Sequence, residues 1–335
     1  MKLRQAYVLS NVRLLFFLVV LLPLSPVFLL GAVAYIIRLK LYNQPKGISG
    51  TAYEPFLTRV MAHVVGGRED EIAYRLAPML PALTPLTLQL LVWPLALASR
   101  LARYKPVLFC GPVTRPATVM MMMALRNQFY DQVLREVAAN VDQVVILGAG
   151  WDTRAYEELN NGDVHIFEVD TPATQLAKIA ALQKAGIESS HVTFVETDFN
   201  QVSWVDALQK HGFEPALRTL VLWEGVTMYL PEDAVRSTLA AVAELAPGSL
   251  IAFDYFAREF VEGEGGFKFV APYMKLSIDL TYGERFIFGI PLRSDGSAAV
   301  AALLESCGLT LERFEMVGRQ GSMTAFYGFA VGERM

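Results

Sequence analysis

The sequence predicts an α/β fold: a doubly wound, mostly parallel sheet with an antiparallel C-terminal edge, preceded by a helical cap and a hydrophobic membrane segment. Three observations carry this expectation. From Asp131 onward, short apolar runs alternate with helical stretches, the pattern of a parallel sheet covered on both faces. Glycines follow directly on the first of those runs, in Leu147-Gly148-Ala149-Gly150. And no charged residue occurs between Leu14 and Ile37.

The N-terminal run comes first. As a helix it would reach about 36 Å, enough to cross a hydrocarbon core of about 30 Å. Pro23 and Pro26 lie inside it, so a kink or a re-entrant hairpin stands beside a simple crossing. Lys2, Arg4 and Arg13 precede the run, and Arg38, Lys40 and Lys46 follow it; positive charge on both sides leaves orientation undecided. Ala32-Val33-Ala34 loosely resembles a signal-peptide cleavage site, but the run is longer than such peptides carry; a buried helix of a soluble protein is the other alternative. Membrane attachment through residues 1–46 is the expectation.

Residues 47–125 are expected to form a helical cap or substrate lid. Gly47 to Leu76 mixes apolar with charged residues as an amphipathic helix does. Leu76 to Ser99 is apolar and uncharged but carries Pro78, Pro81, Pro85 and Pro94, which argues for short helices over one straight span. A second span is the alternative; it would leave Lys40, Lys46, Arg59, Arg68 and Arg75 on the far side, against the usual charge bias. For Met120 to Met123, packing is expected, with an adaptable wall around an apolar substrate as the second reading.

Residues 126–335 carry the regular pattern. Val141–Leu147, Val164–Val169, Val192–Val195, Leu217–Trp223 and Leu250–Tyr255 read as strands, with helices at Thr171–Lys184, Asp233–Leu245 and Ala298–Cys307. Thr310–Val317 and Thr324–Val331 have no helix between them, which predicts an antiparallel hairpin at the edge.

Composition removes several functional classes. The net charge of −4 gives no attraction to nucleic acid. Two cysteines, Cys110 and Cys307, make no disulfide framework, and four scattered histidines show no metal-ligand spacing; no metal is expected.

The chemistry gathers at strand ends. Glycines after the first strand let backbone N–H groups approach a ligand, although taken alone an ordinary turn is the better explanation of them. The second strand, however, ends in Phe167-Glu168-Val169-Asp170, about 20 residues on, where an acid can accept from both hydroxyls of a ribose. The third ends in Glu196-Thr197-Asp198 and the fourth in Trp223-Glu224-Gly225. Ligands of doubly wound sheets bind at this rim. On these features alone, a dinucleotide and S-adenosylmethionine both fit.

Leu147-Gly148-Ala149-Gly150-Trp151-Asp152-Thr153-Arg154, Phe167-Glu168-Val169-Asp170 and Glu224-Gly225-Val226-Thr227-Met228-Tyr229-Leu230-Pro231 together resemble the leucine carboxyl methyltransferase family, and within it the bacterial branch of S-adenosylmethionine-dependent O-methyltransferases. Weaker likenesses are Gly50-Thr51-Ala52, Arg126-Asn127-Gln128-Phe129-Tyr130-Asp131 and Gly283-Glu284-Arg285. The resemblance implies a Rossmann-like class I methyltransferase fold with S-adenosyl-L-methionine as cofactor. It implies that Arg126 holds the methionine carboxylate and that Gly148, with Ala149 and Gly150, lies beside the methionine portion. It further implies that Asp170 binds the ribose, that Asp198 and Phe199 frame the adenine, and that Glu224 sits near the amino-acid end. Three departures stand out: Asn127-Gln128 after Arg126 removes a second cation, Trp151 is bulkier than usual, and the apolar N-terminus and proline-rich cap fall where the substrate lid varies.

The function expected is O-methylation of a carboxylate or hydroxyl on an apolar or lipid-like small molecule, at a membrane, with the catalytic part in the cytoplasm. A carboxylate acceptor needs no base at neutral pH, whereas a hydroxyl does, and no base is identifiable. Tyr229 and Asp254 stand at strand ends, where packing roles are expected. A membrane-tethered binding protein without catalysis is one alternative. A nucleotide-dependent oxidoreductase is another, disfavoured because Thr153 stands where a dinucleotide fingerprint has its third glycine.

Overall fold

The computed structural model describes residues 2–110, 121–159, 164–197, 203–293, 295–318 and 325–335. Helix α1, Lys2–Arg38, runs 37 residues straight through Pro23 and Pro26. Neither proline ends it. Its outer face is apolar and bare, with Leu22 74% and Leu30 61% exposed. A π-helical turn, Leu39–Asn43, and a 3-10 turn, Gln44–Lys46, then lead into the cap.

The cap comprises α2 (Tyr53–Val64), α3 (Glu71–Leu76), α4 (Pro85–Ala102) and the single turn α5 (Val107–Cys110). Asp70 starts α3 by accepting from Ala73 N at 3.0 Å. The short helices expected across Leu76–Ser99 are replaced by one 3-10 turn and the 18-residue α4. The reason is positional. Thr84 caps α4 by accepting from Thr87 N at 3.1 Å, and Pro85 occupies the first turn, where no N–H is needed. Pro94 alone falls in the interior, and the helix tolerates it. Along its buried side α4 packs on α1. By length and composition, α1 with its following turns and α4 could each cross a membrane.

Helix α6, Met122–Val137, leads into β1, Gln143–Leu147. The chain then alternates: α7 (Arg154–Glu157), β2 (His165–Asp170), α8 (Pro172–Ala185), β3 (Val192–Glu196), α9 (Trp204–Gln209), β4 (Thr219–Trp223), α10 (Glu232–Ala243) and β5 (Leu250–Phe256). Two helices, α11 (Arg258–Glu262) and α12 (Val270–Tyr282), return over the strand ends before α13 (Gly296–Ser306), β6 (Thr310–Val317) and β7 (Tyr327–Glu333) close the fold. The described strands form one sheet in the order β3-β2-β1-β4-β5-β7-β6. The first five are parallel, and β7 is antiparallel to both β5 and β6. Thus β6 is the edge and β7 is inserted beside β5. Every residue of β1, β4 and β5 is buried, which is why these runs are almost purely apolar. The strand order reverses between β1 and β4, and a crevice opens there.

Candidate functional site

A cavity of about 920 Å³ occupies that crevice. Its floor is the loops after β1, β2 and β4; its walls are α6 and α12; the segment Gly47–Ala52 and the start of α2 cover it. Gly148 sits at φ +68°, and a Cβ there would lie 2.5 Å from Val226 Cγ2. At Gly150, φ +41°, a Cβ would lie 2.9 Å from the Ala52 side chain. The cap therefore closes directly on the glycine loop, and only glycine leaves room.

Asp170 ends β2 and is held from behind. Its Oδ2 accepts from Gly150 N at 2.6 Å and its Oδ1 from Thr171 N at 2.6 Å. Burial pushes its carboxyl up, and these two hydrogen bonds oppose the shift. The Thr171 hydroxyl lies 3.2 Å from Oδ1 and equally 3.2 Å from Thr174 Oγ1; with it turned to Thr174, each oxygen has capacity for one more donor, and the residue lines the cavity. Glu168, two residues earlier, faces away: it pairs with Lys178 Nζ at 2.6 Å and accepts from Tyr156 Oη at 2.9 Å.

Beyond the glycine loop from Asp170 stands a buried cationic group. Arg126 Nε meets Glu224 Oε1 at 3.2 Å, and its Nη1 lies 3.6 Å from Asp254 Oδ2. Asp254 is fully buried, accepts from Gly225 N at 2.7 Å and Tyr130 Oη at 3.1 Å, and also bonds Tyr327. All of these partners belong to the protein itself. Tyr229 packs on Phe286, ring centroids 5.5 Å apart, and also lines the cavity. Glu224 carries a second arginine, Arg154, whose Nη1 is 2.7 Å from Oε2. Arg154 also meets Asp131 at 2.8 Å and pairs with Asp152. Against its burial, Arg154 and Arg59 hold the Asp152 carboxyl well below the usual range. Arg59, on α2, pairs with Asp70 at 2.6 Å and with Asp152 at 3.4 Å. This network joins cap to sheet under the cavity.

Of the residues singled out in the sequence, Arg126, Gly148, Ala149, Gly150, Asp170 and Glu224 all line this one cavity. Asp198 and Phe199 lie outside the described residues. Sequence reasoning missed Arg59 and Arg154, which supply cations on the cavity wall despite Asn127-Gln128, and missed that Glu54, Tyr282 and Glu284 line the same cavity. Arg154 sat within the glycine motif and could have been found there; Glu54 left no signal. Trp151 is accommodated because Tyr53 packs on it, ring centroids 5.1 Å apart. Met122 and Met123 line the cavity, and Met122 is also buried in the core; Met120 lies outside the described residues. Among the described residues no cluster could hold a metal ion.

The leucine carboxyl methyltransferase family model matches residues 111–243. That span contains the glycine loop, Arg126, Asp170 and Glu224, and leaves out the cap and α12. An inferred S-adenosyl-L-methionine-dependent methyltransferase of Streptomyces avermitilis is 36% identical over 153 residues, 45% of this chain and 54% of that protein. A similarly named protein of Streptomyces coelicolor is 35% identical over 150 residues, 44% of this chain and 53% of its own length. The chain spans about half the length of the curated relatives it matches. Among solved structures, magnesium protoporphyrin IX methyltransferase of Synechocystis aligns at TM-score 0.42 and 13% identity, covering 67% of this chain and 90% of that one.

Proposed function

We propose that this chain is an S-adenosylmethionine-dependent O-methyltransferase acting on an apolar small molecule at a membrane. The observation that carries the reading is a single cavity at the sheet reversal with Asp170 at one end and the Arg126–Glu224 pair at the other. Those groups fit the cofactor. A carboxylate with spare acceptor capacity suits two ribose hydroxyls, a guanidinium suits a carboxylate, and an acid suits an ammonium. The loop between them needs glycine at Gly148, where a Cβ would lie 2.5 Å from Val226 Cγ2. The relatives matched over this half of the chain are named for the same cofactor.

Bound S-adenosylmethionine supplies a methyl group already activated on a sulfonium. This chain's work is then to align an acceptor and exclude water. Ala52 against Gly150 closes the cap over the glycine loop, and Met122, Met123, Met274, Ile278 and Phe286 add an apolar stretch to the cavity wall. Membrane attachment rests on α1, whose apolar side chains Val19, Leu22, Leu29 and Leu30 are all more than half exposed. The catalytic part faces the cytosol, where the cofactor is found.

Incubation of the full chain with methyl-tritiated cofactor and a total membrane lipid extract tests this. Label entering the organic phase is expected. Tight cofactor binding with no label transferred to any apolar fraction would favour a binding protein without catalysis.

A further inference from the structure

The far wall of the cavity is acidic. Glu54, from the first turn of α2, and Glu284, just after α12, both line it. Three tyrosines lie with them: Tyr229 and Tyr282 on the wall, and Tyr35 behind Tyr282. The two acids are held differently. Glu284 Oε2 accepts from Thr51 Oγ1 at 2.8 Å, which ties the end of α12 to the cap. Glu54 interacts with the Tyr282 hydroxyl and, at longer range, with Arg126.

Elimination singles out one of these acids. Among the described residues no histidine lines the cavity. Asp152 and Glu224 are neutralised by Arg154, Arg59 and Arg126. Asp170 belongs to the cofactor end, and Asp279 pairs with Arg285 at 3.2 Å at the mouth. Glu284 is held by the Thr51 hydroxyl and by the backbone N–H groups of Thr51 and Gly50. Glu54 makes no ion pair among the described residues, and burial raises its carboxyl above the usual carboxylate range, with Tyr282 and Arg126 opposing. A half-buried acid on the cavity wall whose neighbours are phenols is suited to take a proton.

We infer that Glu54 is the general base of an acceptor chamber built for a neutral hydroxyl, a phenol or an enol on an apolar body, and that Glu54 with Glu284 excludes carboxylate acceptors. The inference rests on the methyltransferase reading above and narrows it. The acceptor oxygen forms a bond to the methyl carbon, its proton passes to the Glu54 carboxylate, and the electron pair of the broken carbon–sulfur bond stays on sulfur. Glu54 then returns the proton to water when the product leaves. An acceptor carboxylate would bring a third negative charge beside two acids in a poorly solvated chamber, where like charges repel strongly.

The test uses full-length protein in lipid nanodiscs with para-octylphenol and para-octylbenzoate, which share one apolar tail. Binding of each probe is measured with S-adenosylhomocysteine present, alongside label transfer and cofactor affinity, for the native chain and Glu54→Gln. The native chain should bind the phenol at least about 30-fold more tightly than the benzoate and methylate only the phenol. Glu54→Gln should keep cofactor affinity within about threefold, lose phenol methylation about 100-fold, and bind the benzoate about tenfold more tightly than the native chain does. Equal or tighter benzoate binding by the native chain, binding of neither probe, or undiminished phenol methylation by Glu54→Gln would overturn the inference. Failure of the native chain to bind S-adenosylmethionine would instead bring down the methyltransferase reading itself. Should Glu54→Gln lose cofactor binding through misfolding, the phenol-to-benzoate ratio of the native chain still decides.

Discussion

Arg154 Nη1 lies 2.7 Å from Glu224 Oε2, while the other oxygen of Glu224 lies 3.2 Å from Arg126 Nε. One carboxylate at the end of β4 thus aligns two arginines, one from the start of α7 and one from α6. Arg154 is almost wholly buried and also neutralises Asp131 and Asp152. The position of Arg126 therefore depends on a residue two contacts away.

Arg154→Met should leave Asp131, Asp152 and Glu224 short of a counter-charge. Removing one member of a buried charge set costs about 3–5 kcal/mol, so thermal unfolding should shift down by several degrees. Arg154→Lys, which keeps the charge but not the planar fork, should lose about half as much. Calorimetric unfolding of both variants checks the order; equal stability of native and Met variants would mean the network contributes nothing.

Glu157 gives a pH signature to the same network. Burial, and then the Asp70 carboxylate, push it from 4.5 up to about 7, with Arg59 and Arg68 opposing. A carboxyl whose folded pKa is raised favours folding when protonated. Its contribution is fully present below its ordinary value and is lost as pH rises through about 7. Glu157→Gln should therefore be more stable than the native chain by about 1–2 kcal/mol near pH 8 and equal to it near pH 4. Denaturant titrations at the two pH values check this, and a difference that does not vary with pH would contradict it.

The parallel sheet was legible because burial on both faces demands apolar runs of strand length, and β1, β2, β3, β4 and β5 each fall within two residues of the expected limits. Asp170, Arg126 and Glu224 were legible because strand ends and one motif mark their places. Arg59 and Asp70 were not: they sit on different helices, and neither has meaning until the cap folds onto α7. Glu54 is silent for the same reason, since its neighbours Tyr282 and Arg126 come from distant parts of the chain. Helix α4 was misread because four prolines were counted without regard to where a helix tolerates one. Pro85 opens α4, and Pro78 and Pro81 precede it.

Membrane attachment through α1 predicts a charge-sensitive association. Leu22 and Leu30 are exposed apolar side chains on that helix. Replacing both with arginine places two charges in the hydrocarbon layer at about 2.5–3.5 kcal/mol each. The native chain should stay in the membrane pellet after alkaline carbonate washing, and Leu22→Arg/Leu30→Arg should be released. A native chain recovered in the soluble fraction would contradict the attachment.

The most direct measurement is calorimetric titration of S-adenosylmethionine into the detergent-solubilised full chain, beside Asp170→Ala and a parallel titration with NAD. Two ribose hydrogen bonds to a charged acceptor, at about 1.5–3 kcal/mol each, set the expected loss. The native chain should bind S-adenosylmethionine saturably with one site, Asp170→Ala should bind it at least about 100-fold more weakly, and NAD should not bind. Folded native chain that fails to bind S-adenosylmethionine, or that prefers NAD, would contradict the account.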